Sequence, residues 1–175
     1  LAVSMKDGEF MPGTPNTVYA CGTTFYKSTN NGATWTNITS GLPASANVDR
    51  LAIAVTAANS AYIYLVAGSA ANDGFYGFYK STNSGTSFAQ VTVTSPSNIL
   101  GWASAGNDTG GQGWYDLVID ASPTNANEVC VGGVNISRTT NGGTSWTLNA
   151  HWTGSGAPYV HADHHAMMYL HGTTM

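Results

Sequence analysis

Three stretches of this chain spell one pattern: Tyr26-Lys27-Ser28-Thr29-Asn30-Asn31-Gly32-Ala33-Thr34-Trp35, then Tyr79-Lys80-Ser81-Thr82-Asn83-Ser84-Gly85-Thr86-Ser87-Phe88, then Ser137-Arg138-Thr139-Thr140-Asn141-Gly142-Gly143-Thr144-Ser145-Trp146. Each reads hydroxyl, any, Asn, any, Gly, any, hydroxyl, aromatic. Ser28, Ser81 and Thr139 recur at intervals of 53 and 58 residues, a period that marks a repeat architecture. The physical content is a tight hairpin. Asn30, Asn83 and Asn141 carry a short acceptor able to take backbone N–H groups just ahead of it. Gly32, Gly85 and Gly143 supply a positive φ at no steric cost. Trp35, Phe88 and Trp146 open the next strand and cover the turn from its apolar side. The pattern assembles no nucleophile, base or metal set, so these twelve positions are structural.

Working outward, each turn is flanked by strand-like segments. The first unit has strands at 1–4, 17–22, 25–28 and 35–39, and the second at 50–55, 61–67, 77–81 and 88–94. The third has them at 115–120, 128–132, 135–139 and 145–149. Runs such as Tyr62-Ile63-Tyr64-Leu65-Val66-Ala67 are apolar without alternation, as in strands buried on both faces. Residues 160–170 read as one further inner strand.

The pattern resembles the Asp-box, or BNR, repeat of β-propellers such as sialidases, sortilin-type receptors and xyloglucan-cleaving glycosidases. That family's form is Ser-x-Asp-x-Gly-x-Thr-Trp. All three copies here carry Asn for the Asp, which keeps the acceptor oxygen and drops the charge. The resemblance implies an all-β chain of four-stranded antiparallel blades, with the repeated turn joining the third and fourth strands at the rim away from the ligand-binding face. Three blades (1–40, 48–95 and 113–150) and one inner strand (159–170) make a partial propeller. Closure takes roughly 4–8 blades, so further blades or another chain are expected to complete it.

Composition agrees with an all-β reading. Of 175 residues, 42% are hydrophobic, enough for a core, and only 8% are Asp, Glu, Lys or Arg. That charge is too sparse for the outer faces of several amphipathic helices. A net charge of −4 leaves no basic patch for nucleic acid, and no apolar run reaches the roughly 20 residues of a membrane span. Residues 1–7 do not have the form of an intact signal peptide. Low charge, abundant Thr and Asn, and sequons at Asn37, Asn107 and Asn135 suggest a secreted or cell-surface protein. Cys21 and Cys130 fall in separate blades, so buried thiols rather than a disulfide are expected.

Chemistry-bearing residues gather elsewhere, in Tyr159-Val160-His161-Ala162-Asp163-His164-His165-Ala166-Met167. On a strand, His161, Asp163 and His165 share one face, a candidate set for a divalent metal such as Zn²⁺. In propellers of the resembled type the inner strands begin near the ligand-binding face. That puts Asp49, Arg50, Trp114, Tyr115, Asp116, His161, Asp163 and His165 at one polar, aromatic-edged lip, with the Gly-rich insertion at 98–112 overhanging it. Asp116 and Asp163 are the candidate catalytic carboxyls. The favoured expectation is a non-catalytic module that recognises glycan or protein. The alternatives are a glycoside hydrolase, which needs two carboxylates about the bond, and a subunit of an extracellular filament or adhesin. A sialidase is disfavoured, because Arg50 and Arg138 cannot supply a three-arginine cluster.

Overall fold

A computed structural model describes residues 4–170. It is all-β, with a single short 3-10 turn at Ser45–Asn47. Three four-stranded antiparallel sheets follow one another along the chain. The first is β1 (Asp7–Phe10), β2 (Val18–Cys21), β3 (Phe25–Ser28) and β4 (Thr36–Ile38). The second is β5 (Val48–Val55), β6 (Ile63–Ser69), β7 (Phe75–Ser81) and β8 (Ala89–Val91). The third is β9 (Val118–Ala121), β10 (Val129–Gly132), β11 (Ile136–Thr139) and β12 (Thr147–Ala150). These are three consecutive propeller blades, each with its first strand innermost.

Two expectations change. The inner strand of the first blade is β1, at Asp7–Phe10 rather than 1–4, and residues 1–3 lie outside the described region. Residues 160–170 form no strand and no ladder among the described residues. The one bridge nearby is His151 with Tyr159. The segment is held by side chains instead: the Tyr169 N–H donates to Asp120 Oδ2 (2.6 Å), and its hydroxyl contacts Cys130 Sγ (3.2 Å).

The repeated turn is built by two side chains, not one. Ser28 Oγ accepts from the Asn30 and Gly32 N–H groups (3.3 and 2.9 Å) and donates to Asn30 Oδ1 (2.9 Å). Asn30 Oδ1 in turn accepts from the Thr34 N–H at 2.9 Å. Ser81 with Asn83, and Thr139 with Asn141, repeat the arrangement. Gly32, Gly85 and Gly143 sit at φ of 82°, 75° and 98°, where a side chain is strained.

The same turns also join neighbouring blades. Phe88, from the second blade's turn, meets Phe25 of the first edge-on at 4.9 Å, and Phe25 stacks on Tyr19 at 5.7 Å. Trp146, from the third, meets Phe78 edge-on at 5.0 Å, and Phe78 stacks on Tyr64 at 5.4 Å. The register makes Tyr19 and Tyr64 equivalent, and likewise Phe25 and Phe78. Strand alternation explains how one sheet serves two joints. Leu51, Ile53, Ile63 and Leu65 face the first blade, while Ala52, Ala54, Tyr64 and Val66 face the third. Tyr19 and Tyr64 also reach across to the next blade, donating to Ser84 O and Ala126 O. Cys21 and Cys130 are buried free thiols.

Candidate functional site

The repeated turns lie at one end of the blades. The opposite end carries the starts of the inner strands and the hairpin tips between second and third strands. There the chain departs from regular geometry. A bulge between Val48 and Arg50 interrupts the β5–β6 ladder at Asp49, and bulges commonly re-aim a side chain near a site. The Asp49 carboxyl packs directly over Gly68, where any larger residue would have to displace it. Burial, followed by the neighbouring Asp73 carboxyl, pushes Asp49 above the usual carboxylate range.

The insertion at 98–112 closes over this end. Ile99 and Leu100 are buried in the core between the second and third blades. Asn98 Nδ2 donates to Gly110 O (2.8 Å), while Asn98 Oδ1 accepts from the Phe75 N–H at 3.1 Å. Asn135 Nδ2 donates to Gly101 O at 2.9 Å. Buried His151 takes the Thr153 N–H at Nδ1 and meets Trp102 O through Nε2 at 3.0 Å. Trp102 and Trp152 then meet edge-on at 5.8 Å.

The lip residues expected from the sequence are partly brought together. Arg50 Nη1 donates to Tyr115 O at 2.7 Å. Trp114 and Tyr115 are 58% and 44% exposed with ring centroids 5.4 Å apart, and Tyr115 meets the His165 ring edge-on at 4.8 Å. Asp116 has no exposed surface. Burial raises it to about 6, opposed by its own N–H, the Asp163 N–H and His164. Neither Asp116 oxygen accepts a hydrogen bond of good geometry.

The metal set expected on one strand face does not form. Residues 161–165 are not a regular strand, and Asp163 sits at a φ of 72°, so two-residue alternation is lost. His161 turns back to Ala162 O at 2.7 Å. Among the described residues no three His, Cys, Asp or Glu side chains converge as a ligand set. The residue of this stretch that reaches inward is His164, which alternation had assigned to the other face. Its Nδ1 lies 2.5 Å from Gly133 O.

Two further features were not read from sequence. The first is how unpartnered polar atoms are distributed. Among the described residues, both oxygens of Asp49 and of Asp116, Arg50 Nε, Gln112 Oε1, Asp108 Oδ1 and His164 Nε2 are buried without a hydrogen-bond partner. All belong to this end or to the insertion that closes over it, and buried groups of this kind call for a functional explanation. The second is a cleft of about 160 Å³ between inner strands, lined by Lys6, Asp7, Glu9, Arg50, Val118 and His165 among others. Glu9 was missed because the first inner strand was expected at 1–4.

In that cleft burial, then Asp7 and Asp120, raise Glu9 from 4.5 to about 7. The fold favours its neutral form, so its stabilisation is full below the unfolded carboxyl range and is lost as pH rises through about 7. Thermal melts should therefore show a higher midpoint at about pH 5 than at about pH 8 for this group, and Glu9→Gln should shrink that difference. An unchanged difference in the variant would remove Glu9 as the cause.

A scan against protein-family models finds no match, and a search of curated proteins finds none either. Solved structures do match. One is YCF48 bound to D1 peptide, at TM-score 0.57 and 17% identity over 85% of this chain and 41% of that one. Another is an ancestral GH74 enzyme, at TM-score 0.59 and 20% identity over 89% and 19%. A third is the GH74 xyloglucanase from Xanthomonas campestris, at TM-score 0.60 and 18% identity over 82% and 20%. At these identities the likeness shows the β-propeller fold alone. The chain spans less than half the length of each of these three proteins.

Proposed function

We propose that this chain is a non-catalytic binding module, part of an exported or cell-surface propeller, that holds a glycan or protein ligand at the end where its inner strands begin. The observation that carries this reading is the gathering of unpartnered buried acceptors at that end, beside the exposed Trp114 and Tyr115 rings. Flat aromatic faces next to polar groups suit a ligand with an apolar face and hydrogen-bond donors. A peptide ligand draws support from the YCF48 structure, which was solved with a D1 peptide. The GH74 likeness keeps glycan in view. Completion of the ring by further blades, or by another chain, belongs to the same proposal.

The glycosidase alternative fares less well on Asp116. A general acid must touch the glycosidic oxygen, and Asp116 has no exposed surface with which to do so. Screening the chain against a carbohydrate array and a peptide array tests the binding reading. Trp114→Ala and Tyr115→Ala should each weaken the best ligand at least about tenfold, as loss of an aromatic anchor does, with the melting temperature held. Undiminished binding by both variants would defeat this placement of the site. Turnover of a glycan abolished by Asp116→Ala or Asp163→Ala would replace binding with catalysis.

A further inference from the structure

We propose that His151 is an acid-sensitive latch: neutral, it clamps residues 101–106 of the insertion and the Trp102–Trp152 pair onto the third blade, and a second proton on its ring releases them. Such a latch is distinct from the Trp114 and Tyr115 lip and is observable without any ligand.

Both ring nitrogens of His151 are committed. Nδ1 lies 3.1 Å from the Thr153 amide nitrogen and 3.3 Å from that of Ser155. A backbone N–H only donates, so Nδ1 holds the lone pair that receives both. The proton of the neutral ring is then on Nε2, which donates to Trp102 O at 3.0 Å. The Thr153 hydroxyl, 3.0 Å from Nδ1, donates to it as well. The ring is only 3% exposed, so these contacts rather than solvent satisfy it.

A second proton has one place to go, Nδ1, and there it meets two N–H groups head on. In the cation both ring nitrogens donate, so the turn from Thr153 to Ser155 loses its acceptor and a buried charge is left without one. Two titratable groups lie on the elements packed against the ring, Asp108 on the insertion and Tyr159 across the bridge from His151. The Asp108 carboxyl is turned to the Trp102 and Ala103 N–H groups, at 2.7 and 3.1 Å. Among the described residues no ion pair joins it to His151. The remaining neighbour, Asn135, is neutral.

What the latch holds is held at few points. Asn135 Nδ2 donates to Gly101 O, and Trp152 Nε1 donates to Trp102 O at 3.1 Å, beside the bond from His151. These links to the third blade converge on two consecutive carbonyls. Behind them lies a cavity of about 150 Å³ lined by Gly101, Ala103, Gly106, Asn135, Trp146 and Leu148 among others. Ile99 and Leu100 stay rooted in the core, so release moves the outer part of the insertion alone. Glu9, Asp49 and Asp116 have carboxyls raised by burial, so acid stabilises the fold through them. A local opening in acid has the opposite sign and cannot be theirs.

NMR of the whole 175-residue chain between about pH 8 and about pH 4.5, a span that brackets ordinary histidine titration, tests this. Ring nitrogen shifts should show the Nε2–H tautomer at the upper end. As His151 takes its second proton, hydrogen-exchange protection at Thr153, Ser155 and 102–106 should fall at least about tenfold while that of β6 holds. In His151→Asn the amide oxygen stands near the place of Nδ1 and takes no proton, so the acid response should vanish. If that variant fails to fold, the tautomer and the protection of the unaltered chain decide alone. An Nδ1–H tautomer at about pH 8, a ring still neutral at about pH 4.5, protonation without loss of protection, or an acid response that persists in His151→Asn would each overturn the proposal.

Discussion

Phe78→Ala is expected to lower the unfolding free energy by about 3–5 kcal/mol, the range for truncating a fully buried phenylalanine. Phe78 has no exposed surface, stacks on Tyr64 and takes the edge of Trp146 from the next blade. The gap would sit at a joint between two sheets, where neither sheet can close it without shifting a ladder. Trp146 would lose its edge-to-face partner, while its bonds from Nε1 to Gly143 O and from its N–H to Ser95 O, each 2.9 Å, would remain. Urea unfolding checks the magnitude, with a loss under about 1 kcal/mol meaning that the blades are held together elsewhere. An unfolded variant would agree with the prediction, since a domain's whole stability is only about 5–15 kcal/mol.

Gly143→Ala is expected to cost more than Gly32→Ala, although the two glycines occupy the same place in the repeat. Both sit at positive φ, which costs an alanine about 1–2 kcal/mol. Beyond that their surroundings differ. A Cβ on Gly143 runs into the Phe78 ring of the preceding blade. On Gly32 it meets nothing nearer than its own Trp35 ring, at 3.4 Å. Overpacking adds about 1–3 kcal/mol, which puts Gly143→Ala near 2–5 kcal/mol in total and leaves Gly32→Ala at the strain alone. Equal losses in parallel melts would mean that the turn, and not the joint, selects glycine at both positions.

How far the site was legible follows from which interactions are local. The repeated turn bonds residues two to four apart, so its register could be read from residue types, and eleven of the twelve strands fall within a few residues of where alternation and apolar runs put them. The lip was legible only as a list. The sequence placed Asp49, Arg50, Tyr115 and Asp116 near one end, and the structure joins Arg50 to Tyr115 and buries Asp116 completely. It could not reveal that Asp73 comes to Asp49, because that contact depends on the length of a hairpin tip and a bulge. For residues 161–165 the strand assumption failed. No partner strand fixes their pleat among the described residues, so Asp163 adopts a left-handed φ and His164 faces inward in place of His161 and His165.

The sequence by itself determined the three turns and the blade order, because hydroxyl, Asn and Gly at fixed short spacing dictate a backbone path whatever surrounds them. It also determined that the second blade is buried on both faces, since an apolar run without alternation has no side left for water. Only the tertiary structure decided what those turns press against and which polar groups end buried without partners. Those outcomes depend on contacts between residues about 30 to 65 apart, such as His164 with Gly133 or Phe88 with Phe25. No local rule of spacing sets the distance between side chains that meet only when one blade is laid on the next.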